Sequence, residues 1–160
     1  MLQLTIAGWV LFAIWAIAAG LPSLWFVRQS LWRQSDRVEE PDRWPFLSIV
    51  VPARDEGHKI EAGLMSLLAS DYPAFEIIAL DDRSRDNTGA IMDRLAERAI
   101  TAHAINPPTG PVLKVIHITE LPDGWLGKNH ALQLGSQQAH GEWVLFTDGD
   151  VVFHPETLKR

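Results

Sequence analysis

Two carboxylates stand one residue apart at the end of an apolar run, Trp143-Val144-Leu145-Phe146-Thr147-Asp148-Gly149-Asp150. A run of this kind reads as a strand buried on both faces. A strand alternates its side chains, so an ideal one aims Asp148 and Asp150 to the same side. Two carboxylates held close repel each other, and a cation between them relieves the repulsion. Their hard oxygens suit Mg²⁺ or Mn²⁺, ions that keep waters and take phosphate oxygens as further ligands. The chemistry on offer is a metal–diphosphate site. Asp-Gly-Asp is also ordinary turn composition, so the rest of the chain must separate the two readings.

Two more charged clusters follow apolar runs: Pro52-Ala53-Arg54-Asp55-Glu56 and Asp81-Asp82-Arg83-Ser84-Arg85-Asp86. One aspartate at a strand-to-helix junction is a commonplace cap. Carboxylates at three successive strand ends point instead to a polar ligand with hydroxyls and amides to bind. Several other chemistries lack their residues. No G-x-G-x-x-G follows a strand, and Gly127-Lys128 has neither the spaced glycine before it nor Ser/Thr after it, so it is not a Walker A loop. No serine sits in a G-x-S-x-G elbow. His58, His103, His117, His130, His140 and His154 show no metal-ligand spacing; only His154, four residues past Asp150, is worth following. There is no cysteine, hence no disulfide framework or thiolate site. A net charge of −6 argues against a general nucleic-acid-binding surface.

The elements that would position these clusters alternate in type. Phe46–Val51 reads as a first buried strand stopped by Pro52. Gly57–Ser70 reads as a helix through Ile60, Leu64, Leu67 and Leu68. Phe75–Leu80 is a second strand ending in Asp81-Asp82. Asn87 or Thr88 can cap the next helix, whose apolar face is Ile91, Met92, Leu95, Ala96 and Ala99. Asn106–Pro111 is a loop, Val112–Ile118 a third strand, and Asn129–Ala139 a third helix with Leu132, Gly135 and Ala139 on one side. Trp143–Thr147 is the fourth strand, and Pro155–Leu158 begins a helix. The pattern predicts an α/β fold, a mainly parallel sheet flanked by helices, with the loops after the strands gathered on one edge.

The first residues are of another kind. Met1 to Val27 carries no charge. As a helix rising ~1.5 Å per residue, Leu4 to Val27 covers ~36 Å, enough for a ~30 Å hydrocarbon core. No basic residue precedes it and it exceeds a signal peptide in length, although Ala18-Ala19-Gly20 is cleavage-like. Arg28, Arg33 and Arg37 follow it, so the positive-inside rule puts the rest of the chain in the cytoplasm. The expected organisation is a transmembrane helix (1–27), a polar juxtamembrane linker (28–45) and a globular part (46–160), held single-pass in the cell's inner (plasma) membrane.

Four stretches together, Val51-Pro52-Ala53-Arg54-Asp55-Glu56, Leu80 to Thr88, Gly127-Lys128-Asn129-His130-Ala131-Leu132 and Thr147-Asp148-Gly149-Asp150, resemble the family 2 glycosyltransferases in order and spacing. The resemblance runs from Phe46 to the C-terminus and implies the Rossmann-like nucleotide-sugar-binding half of a GT-A fold. The N-terminal segment and Pro122-Asp123-Gly124-Trp125-Leu126-Gly127-Lys128 are similar to the membrane-bound branch associated with hopanoid and carotenoid lipids. The resemblance implies that Pro52, Ala53, Arg54 and Glu56 hold the nucleoside. Asp82, with Asp81 beside it, would bind the base, Lys128 would lie near the ribose or diphosphate, and Asp148 near ribose and sugar. Asp150, with Asp148, would hold a divalent metal, Mg²⁺ or Mn²⁺. The implied donor is a nucleotide-diphosphate sugar, a UDP-sugar first, and the acceptor a membrane lipid. Arg54-Asp55, Gln133 and Val152 depart from the family's pattern at its Asn, Asn and Gln positions.

The family places its catalytic base and acceptor-binding half beyond the position of Arg160, so the chain reads as an N-terminal fragment whose fourth strand has a bare edge. Two alternatives stand. Val144 to Asp150 also resembles the D-x-D strand of haloacid-dehalogenase-like phosphatases, with Asp148 as nucleophile and Asp150 as acid/base. A non-catalytic nucleotide-binding remnant would follow from the missing base.

Overall fold

A computed structural model describes Trp9 and residues 41–105 and 112–160. The expected membrane span (apart from Trp9), the stretch from 28 to 40 and the loop 106–111 lie outside the described residues. Among the described residues no helix is long and apolar enough to cross a membrane. The chain divides into two compact units, Met1–Glu40 and Pro41–Arg160; the second carries the fold.

Its elements are β1 (Leu47–Ala53), α1 (Ile60–Leu68), β2 (Phe75–Asp82), α2 (Thr88–Ile105), β3 (Val112–Ile118), α3 (Gly127–Gln137) and β4 (Trp143–Phe146), then a 3₁₀ turn, Thr157–Lys159. The four strands form one sheet in the order β3-β2-β1-β4, every neighbouring pair parallel. Strand alternation divides the core between the two faces. Ile49, Val51, Ile77 and Ala79 pack with Ile60, Leu64 and Leu67 of α1 and Ile91, Met92 and Leu95 of α2. Val50, Ile78 and Leu80 point the other way, onto Ala131 of α3. The two central strands, β1 and β2, are thus covered on both faces, as the alternating pattern predicts.

The differences from the sequence reading have local causes. β1 runs through Pro52 to Ala53. In a parallel ladder alternate residues turn their N–H groups to the same neighbour. Val50 accepts the Thr147 N–H at 3.1 Å, so Pro52, two residues on, turns its missing donor to the β4 side, where β4 has already ended. α1 starts at Ile60 rather than Gly57, because the Glu56 and Gly57 amides donate to Thr88 Oγ1 (2.8 Å) and Asp86 Oδ2 (2.9 Å) in the next loop. α2 begins at Thr88, directly after Asn87. Asp86 Oδ1 accepts the Thr88 N–H at 2.9 Å. Pro155–Leu158 gives only the 3₁₀ turn. At the start of the unit, residues expected in the linker pack onto it: Trp44 meets Tyr72 edge-on at 5.2 Å, and Tyr72 donates to the Pro45 carbonyl at 2.7 Å.

The largest correction concerns β4. It is not buried on both faces. Among the described residues it pairs with β1 alone, and Trp143, Val144 and Phe146 are 68%, 39% and 49% exposed. Only Leu145 packs against the core. An apolar run reports what a strand can bury, whereas its place in the sheet decides what is covered.

Candidate functional site

Beyond the C-terminal ends of β1, β2 and β4 lies an open cavity of about 290 Å³. Pro52, Ala53, Arg54 and Glu56 line it from β1 and the loop after it. Asp82 comes from the end of β2, Lys128 from the first turn of α3, and Asp148, Gly149 and Asp150 from the turn after β4. Every site residue named from the sequence is here except Asp81, and Gly149 joins them.

Asp81 is absent from the lining because β2 continues through Asp82 instead of ending at Leu80, and adjacent strand residues face opposite ways. Asp82 falls on the α3 face. Asp81 falls on the α1/α2 face, where Oδ1 accepts the Ser84 N–H (3.2 Å) and Oδ2 meets His117 Nδ1 (3.1 Å). His117 Nε2 meets Asp93 Oδ1 at 3.0 Å. Bonds to Asp81 and then Asp93 raise the pKa of His117 above its usual 6.5.

The loops after β1 and β2 are laced together. The Asp55 N–H donates to Ser84 Oγ (3.0 Å), and the Arg85 N–H to Asp55 Oδ1 (2.7 Å). The Thr88 hydroxyl, its N–H and the Gly57 N–H hold the Asp86 carboxyl below its usual 3.8. Asp55 and Arg83 take φ of 54° and 58°, the left-handed region that non-glycine residues avoid. Both strained residues lie just past a strand end beside the cavity, where strain and function tend to coincide.

At the far wall, β4 stops at Phe146, so Asp148 and Asp150 sit on a turn closed by the Val151 N–H on the Asp148 carbonyl (3.4 Å). The turn presses inward through Gly149, where a Cβ would fall 2.8 Å from Ile60 Cδ1 and 3.1 Å from Ala53 Cβ. The turn reading and the site reading of Asp-Gly-Asp therefore hold together. Each carboxylate meets its own ammonium: Lys128 Nζ donates to Asp148 Oδ1 at 2.5 Å, and Lys59 Nζ to Asp150 Oδ2 at 3.1 Å. The Lys59 bond and charge lower the Asp150 pKa below 3.8, and Asp150 in turn raises that of Lys59 above 10.5. Among the described residues no group of three or more His, Cys, Asp or Glu gathers round one point. The donor set still fits a hard divalent ion that completes its shell from phosphate and water, since both carboxylates lie on the cavity wall. His154 takes no part in the lining; its Nδ1 accepts the Glu156 N–H at 3.4 Å.

Lys59, Arg83 and Gly149 are the site features missed in the sequence. Lys59 reaches a partner 91 residues away, and no local pattern signals that. Arg83, standing where the chain turns left-handed, could have been flagged only from backbone geometry.

A parallel α/β sheet with carboxylates and a lysine converging on a cavity past its strand ends defines a Rossmann-like nucleotide-binding domain. Residues 48–160 match Glycosyl transferase family 2, and the chain belongs to that family. Among its relatives is the poly(ribitol-phosphate) beta-N-acetylglucosaminyltransferase TarS of Staphylococcus aureus, 34% identical over 114 residues that cover 70% of this chain and 17% of TarS. The 4,4'-diaponeurosporenoate glycosyltransferase of Staphylococcus haemolyticus is 26% identical over 76% of this chain and 28% of its own length. Among solved structures, the mannosyltransferase PcManGT of Pyrobaculum calidifontis, in complex with GDP-Man and Mn²⁺, superposes with a TM-score of 0.60 at 28% identity, covering 92% of this chain and 40% of that one. TarS residues 1–349 in complex with UDP superpose with a TM-score of 0.51 at 31% identity, covering 71% and 30%. The chain thus spans less than half the length of each of these relatives. The fold is that of the GT-A enzymes, and the phosphatase reading is left without support.

Proposed function

We propose that this chain forms the donor- and metal-binding half of a glycosyltransferase that moves a sugar from a nucleotide-diphosphate sugar, UDP-linked in the first instance, to a membrane lipid acceptor. The observation that carries this reading is the convergence of Glu56, Asp82, Lys128, Asp148 and Asp150 on one cavity from three strand ends and a helix start. Asp82 and the Pro52–Glu56 loop take the nucleoside. Lys128 and Lys59 supply positive charge opposite the diphosphate. Asp150, with Asp148, would hold Mg²⁺ or Mn²⁺, which when bound would supply positive charge to offset that developing on the leaving diphosphate. Activation of the acceptor hydroxyl needs a carboxylate base, and no described residue is assigned that role; Glu120 and Asp123 are exposed and away from the cavity lining.

The uncharged span 1–27 and the arginines after it support an inner-membrane anchor with the cavity on the cytoplasmic side, where nucleotide sugars are made. A reporter fused after Arg160 is expected to be active only in the cytoplasm; activity confined to the other side would refute the orientation. The donor site itself is tested by calorimetric titration of UDP with and without Mn²⁺. Mn²⁺ is expected to tighten binding to the wild type and to have no effect on Asp150→Asn. A wild type indifferent to Mn²⁺ would refute the metal assignment. Binding without sugar transfer would favour the non-catalytic reading for this chain.

A further inference from the structure

Arg83 follows the last residue of β2 at φ 58°. A Cβ disfavours this backbone and glycine is the default there, so an arginine in this place points to a use for its side chain. The guanidinium forks Asp82: Nε donates to Oδ1 at 2.7 Å and Nη2 to Oδ2 at 3.1 Å. The pair is shielded, with side chains 23% and 6% exposed. It is wedged against the first residue of α3, where a Cβ on Gly127 would fall 2.5 Å from Asp82 Oδ2 and 2.6 Å from Arg83 Nη2. Asp82 nonetheless lines the cavity.

A carboxylate held in a guanidinium fork must accept on both oxygens. An ionised carboxylate has about four lone-pair directions and no donor. With one direction on each oxygen filled by Arg83, what is left for a ligand is a fixed acceptor. Building on the donor-site reading above, we infer that Arg83 is a positioning residue that selects the base. By holding Asp82 as an oriented acceptor, it favours bases whose ring nitrogen carries a proton, uracil and guanine. Cytosine and adenine present a bare ring nitrogen, lone pair against lone pair, and can offer Asp82 only their amino group.

The test uses the full chain with Mn²⁺ and four probes: UDP, GDP, CDP and ADP. The wild type is expected to bind UDP or GDP roughly ten-fold or more tighter than CDP and ADP, the scale of one hydrogen bond to a charged group. Arg83→Gly relieves the left-handed backbone but strips the shielded Asp82 carboxylate of its fork, so its base preference should collapse whichever way its melting temperature moves. Arg83→Lys keeps charge and strain but cannot fork, so it should lose the same preference without gaining stability. Loss of selectivity in both variants, with UDP still bound, supports the assignment. Retained selectivity in Arg83→Gly, or equal weakening of all four nucleotides in both variants, would overturn it. A wild type that binds all four equally also overturns it while leaving the donor site standing. A wild type that binds none refutes the donor-site reading and this inference with it.

Discussion

The two ends of the sheet both carry charge, yet they are built differently. At the N-terminal end Glu76 is buried and saturated. Oε1 accepts from Ser48 Oγ (2.6 Å) and the His140 N–H (2.8 Å), and Oε2 faces the His140 ring at 3.4 Å. Ser48 Oγ accepts in turn from the Gly141 N–H at 2.8 Å. Burial alone would raise the Glu76 pKa, but the bonds from Ser48 and His140 outweigh it and hold it below 4.5. At the C-terminal end Asp148 and Asp150 are exposed, and their partners are the ends of lysine side chains. One network has closed on itself and fixes the connection between α3 and β4. The other is satisfied by groups that a ligand can replace. What separates a structural carboxylate from a binding one here is how replaceable its partners are, more than how many it has.

Three substitutions sharpen this contrast. Glu76→Ala should cost the most, about 2–3 kcal/mol, because it strands the buried Ser48 hydroxyl proton and leaves the His140 N–H only its 3.1 Å bond to Ser48 Oγ. Chemical denaturation measures it, and UDP affinity should persist in the folded fraction. His117→Gln comes next. The wild-type His117 pKa is raised, so its contribution is full below pH 6.5 and lost as pH rises through the folded-state value. With the side chain 45% exposed the effect stays under about 1 kcal/mol. Melting curves from pH 5 to 9 should show this alkaline decline in the wild type and not in the variant. Glu76, with its lowered pKa, should give the opposite arm, stability lost below pH 4.5. Lys59→Met should matter least to stability, since both partners of its ion pair are solvated. It should nevertheless tighten Mn²⁺ binding in the absence of nucleotide, because Asp150 loses a competing cation. A lowered melting temperature without tighter Mn²⁺ binding would place Lys59 with the structural network instead.

Much of this was legible in the residues. β3 runs over Val112–Ile118 as its pattern says, and the apolar face of α2 is buried through Ile91, Met92 and Leu95. The motif residues meet because parallel topology delivers strand ends to one edge. What was not legible depends on long-range neighbours. Asp81 and Asp82 look equivalent until the strand is known to run through both. The exposure of Trp143 and Phe146 goes with β4 pairing only with β1 among the described residues, the bare edge expected from the family resemblance and at odds with reading its apolar run alone as buried. The Lys59–Asp150 pair joins a helix start to a turn far along the chain.

One feature of the packing bears on motion. The α1/α2 face of the sheet is held by a broad cluster of large side chains, whereas α3 lies on the other face through its two buried residues, Ala131 and Gly135, with Leu132 and Leu134 only partly covered. Few buried apolar contacts mean a low free energy of local opening. Amide exchange should therefore be fastest along α3, and a ligand that engages Lys128 should slow it there more than in β1 or β2. Mechanically, α3 is the compliant wall of the cavity and the two central strands are its frame.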